Sequence, residues 1–331
     1  MNTAHVFRRY RGALGPVGVI LLFLAGMRWS PFEPHPPPVG PSGAPLGSAS
    51  WEDDDWRAFE TTVRLAAAQG VDTLPMGLAM AAVGRSLVGT AYVPGTLEVE
   101  GPERLVIDFL GLDCVTFVEN VWALAAVVKG GVAERLGDRA TVEAEYERML
   151  RTLRYRNAFI DGYPSRLHYF SDWIADGERK LVVKDLTREL GGIPDPEPVD
   201  FMSSHPDAYG QLAEPGVLDA IREIEARLSA RGRYYVPEVG IAAVADRIRD
   251  GDIIAATSTV EGLDVAHTGL ALWVDGSLRL MHAPLVGEAV QISDETLAER
   301  ILRLEGQDGI IVARPSEPLI ARSRVNEQGT S

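Results

Sequence analysis

The sequence holds one cysteine, Cys114, in 331 residues. No intramolecular disulfide can form, so the redox compartment is not legible from bridges. No cysteine follows the N-terminal apolar run, which removes a lipid-modified start. Basic residues are in deficit: 32 Lys and Arg stand against 47 Asp and Glu, a formal net charge of −15. Nucleic acid is therefore a poor partner, because duplex binders present a basic field. An anionic substrate would have to be met by local Arg or Lys groups. Metal-ligand spacing is also missing. The four histidines beyond residue 51 form no His-x-x-x-His pair, and Cys-x-x-Cys is impossible, so a zinc enzyme is a minor rival reading. No internal repeat is visible.

What is present fits a folded, exported protein. The hydrophobic fraction of 46% and the length allow a proper core in one large domain or two ordinary ones. Arg8, Arg9 and Arg11 precede an apolar run over about residues 13–27. A basic start and a short apolar stretch have the form of a secretory signal. The run is shorter than the ~20 residues that span a bilayer comfortably, and Arg28 follows it with no clean cleavage site. Residues 1–29 are read as a signal peptide or a membrane anchor; both put the rest outside the cytoplasm, in the periplasm or beyond. Residues 30–50, rich in Pro, Gly and Ser, are read as a linker. The folded part begins near Trp51 and runs to the C-terminus as one domain.

Helical apolar spacing covers residues 51–68, 75–87, 113–128, 141–153 and 216–228. The segment 113–128 is apolar around most of its circumference, which predicts a central, buried helix. Residues 89–95 are read as a loop, 105–107 as a short strand and the stretch around 191–198 as a Pro- and Gly-rich loop. After about residue 250 the runs 252–257, 267–274, 277–283, 288–292 and 309–314 are short and rich in β-formers. Asp275-Gly276 between two of them is a hairpin signal. Helices first and an antiparallel meander after predict an α+β fold.

Cys114 falls at the start of the central helix with Asp113 as N-cap. The positive end of a helix stabilises a thiolate, while the adjacent carboxylate opposes it. By position alone an inert buried cysteine is as good a reading. His267 opens a strand, and His282 lies on the strand paired with it. A turn at 275–276 brings the two near register, so His282 can hydrogen-bond His267 and fix its tautomer. Tyr92 lies in the loop before the helix, where a phenol can donate to an oxyanion; ordinary packing is the plainer reading.

The chain order Tyr, Cys, His, His resembles the NlpC-type papain-like cell-wall peptidases. The segments are Gly89-Thr-Ala-Tyr92, Asp113-Cys114, Gly251-Asp252, His267-Thr-Gly269 and His282-Ala283. Val115-Thr116 departs from the Ser-Gly or Ser-Ala that usually follows the cysteine. The chain is more similar to the sister family described as N-acetylmuramoyl-L-alanine amidase-like, over nearly all of residues 80–315. That likeness rests on LDCVTFVENVWALA, RYRNAFIDGYPSRLHYFSDW, FMSSHPDAY and GLDVAHTGLAL. It implies a papain-like α+β fold, helices packed on a C-terminal antiparallel sheet, and muropeptide cleavage at a Cys114–His267–His282 site. No cofactor is implied.

Residues 130–245 exceed what a minimal papain-like core needs and are read as an insertion. Five arginines lie within residues 148–168. Cell-wall stem peptides carry carboxylates, which Arg binds bidentately. Arg156, Asn157, Asp161, Tyr163, Arg166 and His168 are therefore placed in a substrate groove, while His205 is either a groove or a capping residue. The expected partner is peptidoglycan or a muropeptide, with a membrane tether through the apolar N-terminus as a further option. Two bonds compete as the target: muramic lactyl to L-Ala, which the family resemblance favours, and D-Glu to the diamino acid. A non-catalytic wall-binding module and an acyl transferase acting on lipid are the other rivals.

Overall fold

A computed structural model describes residues 49–285 and 288–319. The expected signal or anchor segment, and all but the last two residues of the linker, lie outside them. Among the described residues no helix is long and apolar enough to cross a membrane.

The helices are α1 (Asp53–Ala68), α2 (Met76–Ser86), α3 (Cys114–Lys129), α4 (Arg139–Arg154), α5 (Phe170–Arg179), α6 (Phe201–Ser204), α7 (Val217–Arg231), α8 (Ile241–Val244) and α9 (Leu297–Arg303). The strands are β1 (Ala91–Tyr92), β2 (Gly111–Leu112), β3 (Val183–Asp185), β4 (Ile193–Asp195), β5 (Arg233–Pro237), β6 (Ile253–Ser258), β7 (Val265–Val274), β8 (Ser277–His282), β9 (Gln291–Ile292) and β10 (Gln307–Pro315). Strands β3 to β10 form one sheet in the order β4-β5-β10-β6-β7-β8-β9, with β3 also paired to β10, and every pairing in it is antiparallel. The expected mixed fold of helices and antiparallel sheet is present.

Helix α3 shows why the sequence marks it so clearly. Asp113 caps it by accepting from the backbone N–H groups of Val115 and Thr116, and the Thr116 hydroxyl accepts the Asp113 N–H in return. This reciprocal box satisfies helix-start donors. It also gives Thr116, at the position where the sequence departs from the NlpC pattern, a structural task. Every residue of α3 but Val115 and Lys129 is buried. An amphipathic helix would need a wet face; this one has neighbours all round, among them α2, α4 and β7.

The sheet is covered on both faces. Ile253, Ala255, Leu270, Leu272, Met281 and Ile311 join the core built with α1 to α4. Their alternates Ile254, Ala256, Ala271, Leu280, Ile310 and Val312 pack with Leu297 and Ile301 of α9. Double coverage explains why residues 253–256 read as an unbroken apolar run rather than an alternating one. The hairpin turns at Asp275-Gly276, where both residues have positive φ, as a type I′ turn requires.

Several expectations need correction. Residues 105–107 are not a strand. Carbonyls in and beside this stretch accept from side chains instead, Arg104 O from the Tyr155 hydroxyl and Val106 O from Arg154 Nη1. Conversely, the loop at 89–95 contains β1 and the stretch 191–198 contains β4. The sheet is not confined to the C-terminal part: β3, β4 and β5 come from residues 183–237 and extend it beyond β10. Strands of three residues carry too few positions to show a period. Helices α5 and α9 have no counterpart among the expected helices. Gly251-Asp252 serves the scaffold. Asp252 is 1% exposed and holds Arg314 through both carboxylate oxygens, at 2.8 and 2.7 Å.

Candidate active site

Local pairings deliver the site. Strand β1 runs parallel to β2 with Tyr92 opposite Leu112. This sets the phenol beside the start of α3, two residues before Cys114. The Tyr92 hydroxyl is buried, and burial, then the charges of Cys114 and Asp113, push its pKa up. It stays a donor at any physiological pH.

His267 and His282 meet as expected, but not abreast. The hairpin ladder ends at Leu270 with Met281. His282 therefore lies opposite Gly269, on the diagonal from His267. The diagonal suffices: His267 Nε2 and His282 Nδ1 are 2.7 Å apart, with the rings edge to face. Gly269 makes room for this. A Cβ there would lie 2.6 Å from Met281 O and 2.9 Å from His282 Cβ. Gly269→Ala is therefore expected to displace His282 and lower kcat about 100-fold, in line with the cost of ångström-scale misplacement. Steady-state kinetics beside a thermal melt check this; full activity at unchanged stability would contradict it.

Cys114 and His267 line one cavity of about 700 Å³, together with Tyr92 and Asp113. Strand alternation puts His267 on the sheet face covered by α9, whereas α3 packs on the other face. The cavity opens where β7 begins, between these two layers. The backbone N–H groups of Thr268, Cys114 and Val115 donate toward the sulfur. Cys114 thus adjoins the residue next to His267, although no hydrogen bond joins its sulfur to the imidazole. Catalytic contacts are often long in empty sites.

The resting site is neutral. Burial, then Asp113, pushes the Cys114 thiol up to about 12, against the three backbone donors. Burial, then the Arg300 guanidinium, pushes His267 down to about 3. His282 is pushed down by burial, His267 and Arg300. The histidine pair is thus uncharged, with one nitrogen of each ring engaged in the other. If His267 Nε2–H donates to His282, its Nδ1 is left as the basic nitrogen. Among the described residues no group of three or more His, Cys, Asp or Glu could hold a metal ion.

The residues expected in a substrate groove divide. Arg166 and His168 line the cavity. Arg166 is 4% exposed and already engaged, with Glu98 at 2.7 Å, Leu97 O at 2.9 Å and Glu103 at 3.5 Å. His168 Nε2 bonds Tyr163 O. Arg156, Asn157, Asp161, Tyr163 and His205 are not on the cavity wall. Arg156 pairs with Asp172, and Asn157 has a left-handed backbone (φ 56°). Asp161 is exposed, and the Tyr163 hydroxyl donates to Glu98. His205 hydrogen-bonds Phe201 O and stacks on its ring, which is a capping arrangement.

Other wall residues were not foreseen: Glu98, Glu119, Arg154, Phe201, Tyr209 and, from the C-terminal part, Ser293, Glu295 and Arg300. Glu119, five residues after Cys114 on a helix that reads as apolar, is the one signal the sequence offered. A carboxylate there needs a buried partner, and Arg154 supplies it at 2.8 Å.

Comparison with known proteins agrees with this architecture. Residues 82–307 match a family model described as AmiA-like, N-acetylmuramoyl-L-alanine amidase-like. A crystal structure of an N-acetylmuramoyl-L-alanine amidase from Bacteroides uniformis shares 36% identity, covers 73% of this chain and 99% of its own, and superposes with a TM-score of 0.67. Another under the same description gives 34% identity, 72% and 98% coverage, and a TM-score of 0.64. A Legionella pneumophila protein at 18% identity shares the fold, with a TM-score of 0.58 over 79% of this chain and 96% of its own. A search of curated proteins finds no match.

Proposed function

Since the chain belongs to the N-acetylmuramoyl-L-alanine amidase-like family, we propose that it is an exported cysteine amidase. Its substrate is peptidoglycan or a muropeptide, cut at the amide between the muramic lactyl group and L-Ala. One observation carries the reading: the sole cysteine, at a capped helix start, shares a cavity with a hydrogen-bonded histidine pair. A wall-binding module has no use for that arrangement.

In this mechanism His267 Nδ1 takes the Cys114 proton as the sulfur attacks the amide carbon. His282 orients His267 through the Nε2–Nδ1 bond. The backbone N–H of Cys114 and the Tyr92 hydroxyl stabilise the oxyanion. His267 returns its proton to the leaving amine, and water activated by the same imidazole hydrolyses the thioester. Because both groups are neutral at rest, proton transfer accompanies attack rather than preceding it.

The fold is read as papain-like of the NlpC type, with residues 51–331 as one catalytic domain. A periplasmic or otherwise exported location follows from the basic and apolar start of the sequence. Mass spectrometry of a disaccharide-pentapeptide digested by the purified protein tests the reaction. Release of free disaccharide and an L-Ala-terminated peptide is expected. A product ending in D-Glu would make the enzyme an endopeptidase instead, and an undigested substrate would remove the amidase reading.

A further inference from the structure

The cavity wall carries four arginines, and they differ in how far their charge is already engaged. Arg154 is closed: Glu119 is 2.8 Å away, and Val106 O accepts a second donor. Arg166 is closed by Glu98, Glu103 and Leu97 O. Arg303 is mostly exposed and held at the rim by both oxygens of Glu295. Arg300 differs from all three. Its side chain is 13% exposed, and among the described residues its one polar contact is a 3.4 Å approach to Glu295, whose oxygens are shared with Arg303. Among the described residues its Nε is buried without a hydrogen-bond partner; Arg166 Nε also lacks one, but it has the Glu103 carboxylate 3.5 Å away. Asp113, the acid nearest the nucleophile, spends its oxygen on the N–H groups of the α3 start. Asp294 and Glu305 are exposed.

Position makes the loose guanidinium significant. Arg300, on α9, lines the same cavity as His267, and its charge bears on both His267 and His282. A largely buried arginine with unused donors, lining a cavity, is suited to a planar anion that accepts two parallel hydrogen bonds.

We infer that Arg300 is the carboxylate-reading residue of the cavity, selecting substrates that carry a free carboxylate close to the scissile amide. This rests on the amidase reading above and names the chemistry that it recognises. The arginines at 148–168 do not supply this group: of them, Arg154 and Arg166 reach the wall and both are paired. Carboxylate binding also cancels the positive charge that opposes protonation of His267. The same contact that selects the substrate therefore favours transfer of the Cys114 proton.

The test compares N-acetylmuramoyl-L-Ala-D-Glu with its α-carboxamide counterpart, N-acetylmuramoyl-L-Ala-D-isoglutamine. The two differ only at the α-carboxyl of the D-Glu residue, the free carboxylate nearest the scissile amide; both keep the γ-carboxylate. A charge-assisted hydrogen bond buried in a site gives about 10- to 100-fold discrimination. The wild type is expected to prefer the carboxylate by that factor in kcat/KM. Arg300→Gln is expected to lose the preference, with the carboxylate substrate falling by the same factor and the carboxamide changing less than about threefold. Arg300→Lys, which keeps charge but loses the fork, should lie between. Equal treatment of both substrates by the wild type overturns the inference without using a variant. So does an equal loss on both substrates in a folded Arg300→Gln, which would make Arg300 a positioning residue for the histidines. Cleavage of neither substrate by the wild type would instead bring down the amidase reading, and this inference with it.

Discussion

Replacing Cys114 with alanine is expected to lower kcat on a muropeptide by at least roughly 1,000-fold while leaving substrate binding intact. Removal of the atom that forms the covalent intermediate eliminates the route rather than slowing it. Calorimetric titration of the variant should give the wild-type Kd, since the cavity loses one small, buried sulfur. Turnover within tenfold of the wild type would end the cysteine mechanism. The same thiol makes a second, chemical prediction. With Cys114 held up to about 12 and His267 down to about 3, no thiolate–imidazolium pair forms in the empty site. Alkylation by iodoacetamide should therefore be slow at neutral pH and climb as the solution becomes alkaline. A rate plateau below about pH 6, the mark of a preformed ion pair, would contradict the neutral resting state.

Arg154→Met is expected to have the largest effect on stability. Arg154 and Glu119 are each 2% exposed at the side chain and pair at 2.8 Å. Surface pairs such as Arg222–Asp219, with both side chains more than half exposed, contribute at most about 1 kcal/mol. A buried pair is different because removing one partner strands the other charge. Burial already pushes the Glu119 carboxyl up, with Arg154 opposing, and without the guanidinium it loses its counter-charge. The expected cost is about 3–5 kcal/mol, a fall in Tm of about 10 °C for a domain of this size. The cycle is completed by Glu119→Leu and by the double variant. Because a well-packed apolar pair can replace a buried ion pair, the double variant should recover much of the loss. Equal melting temperatures for Arg154→Met and the wild type would show that the pair is not a structural lock between α3 and α4.

The two predictions concern one helix, and α3 also shows how much of this protein is local. Its start is written in Asp113 and Thr116, its burial in its unbroken apolar circumference, and the proposed nucleophile in the chain's lone cysteine. The hairpin is similarly local: Asp275-Gly276 sets the turn, and the turn sets which strands carry His267 and His282. Long helices and tight turns are decided by neighbours a few residues apart, so they are legible in one sequence. Strands β3 and β4, three residues each, are not. Their pairing with β10 and β5 is chosen by distant segments, and nothing within three residues announces it.

The candidate site divides along the same line. The sequence by itself marked Cys114, His267, His282 and Tyr92 as candidates and pointed to the family to which the chain belongs. The identity of these groups is fixed by residue type and by spacing along elements that form locally. Only the tertiary structure decided which charges are free to act. Arg166 and Arg300 are the same residue type in sequence, but Glu98, Glu103 and Leu97, some seventy residues from Arg166, close around the first, whereas among the described residues the second meets only Glu295, at 3.4 Å. Charge neutralisation depends on distances of a few ångströms between segments far apart in the chain.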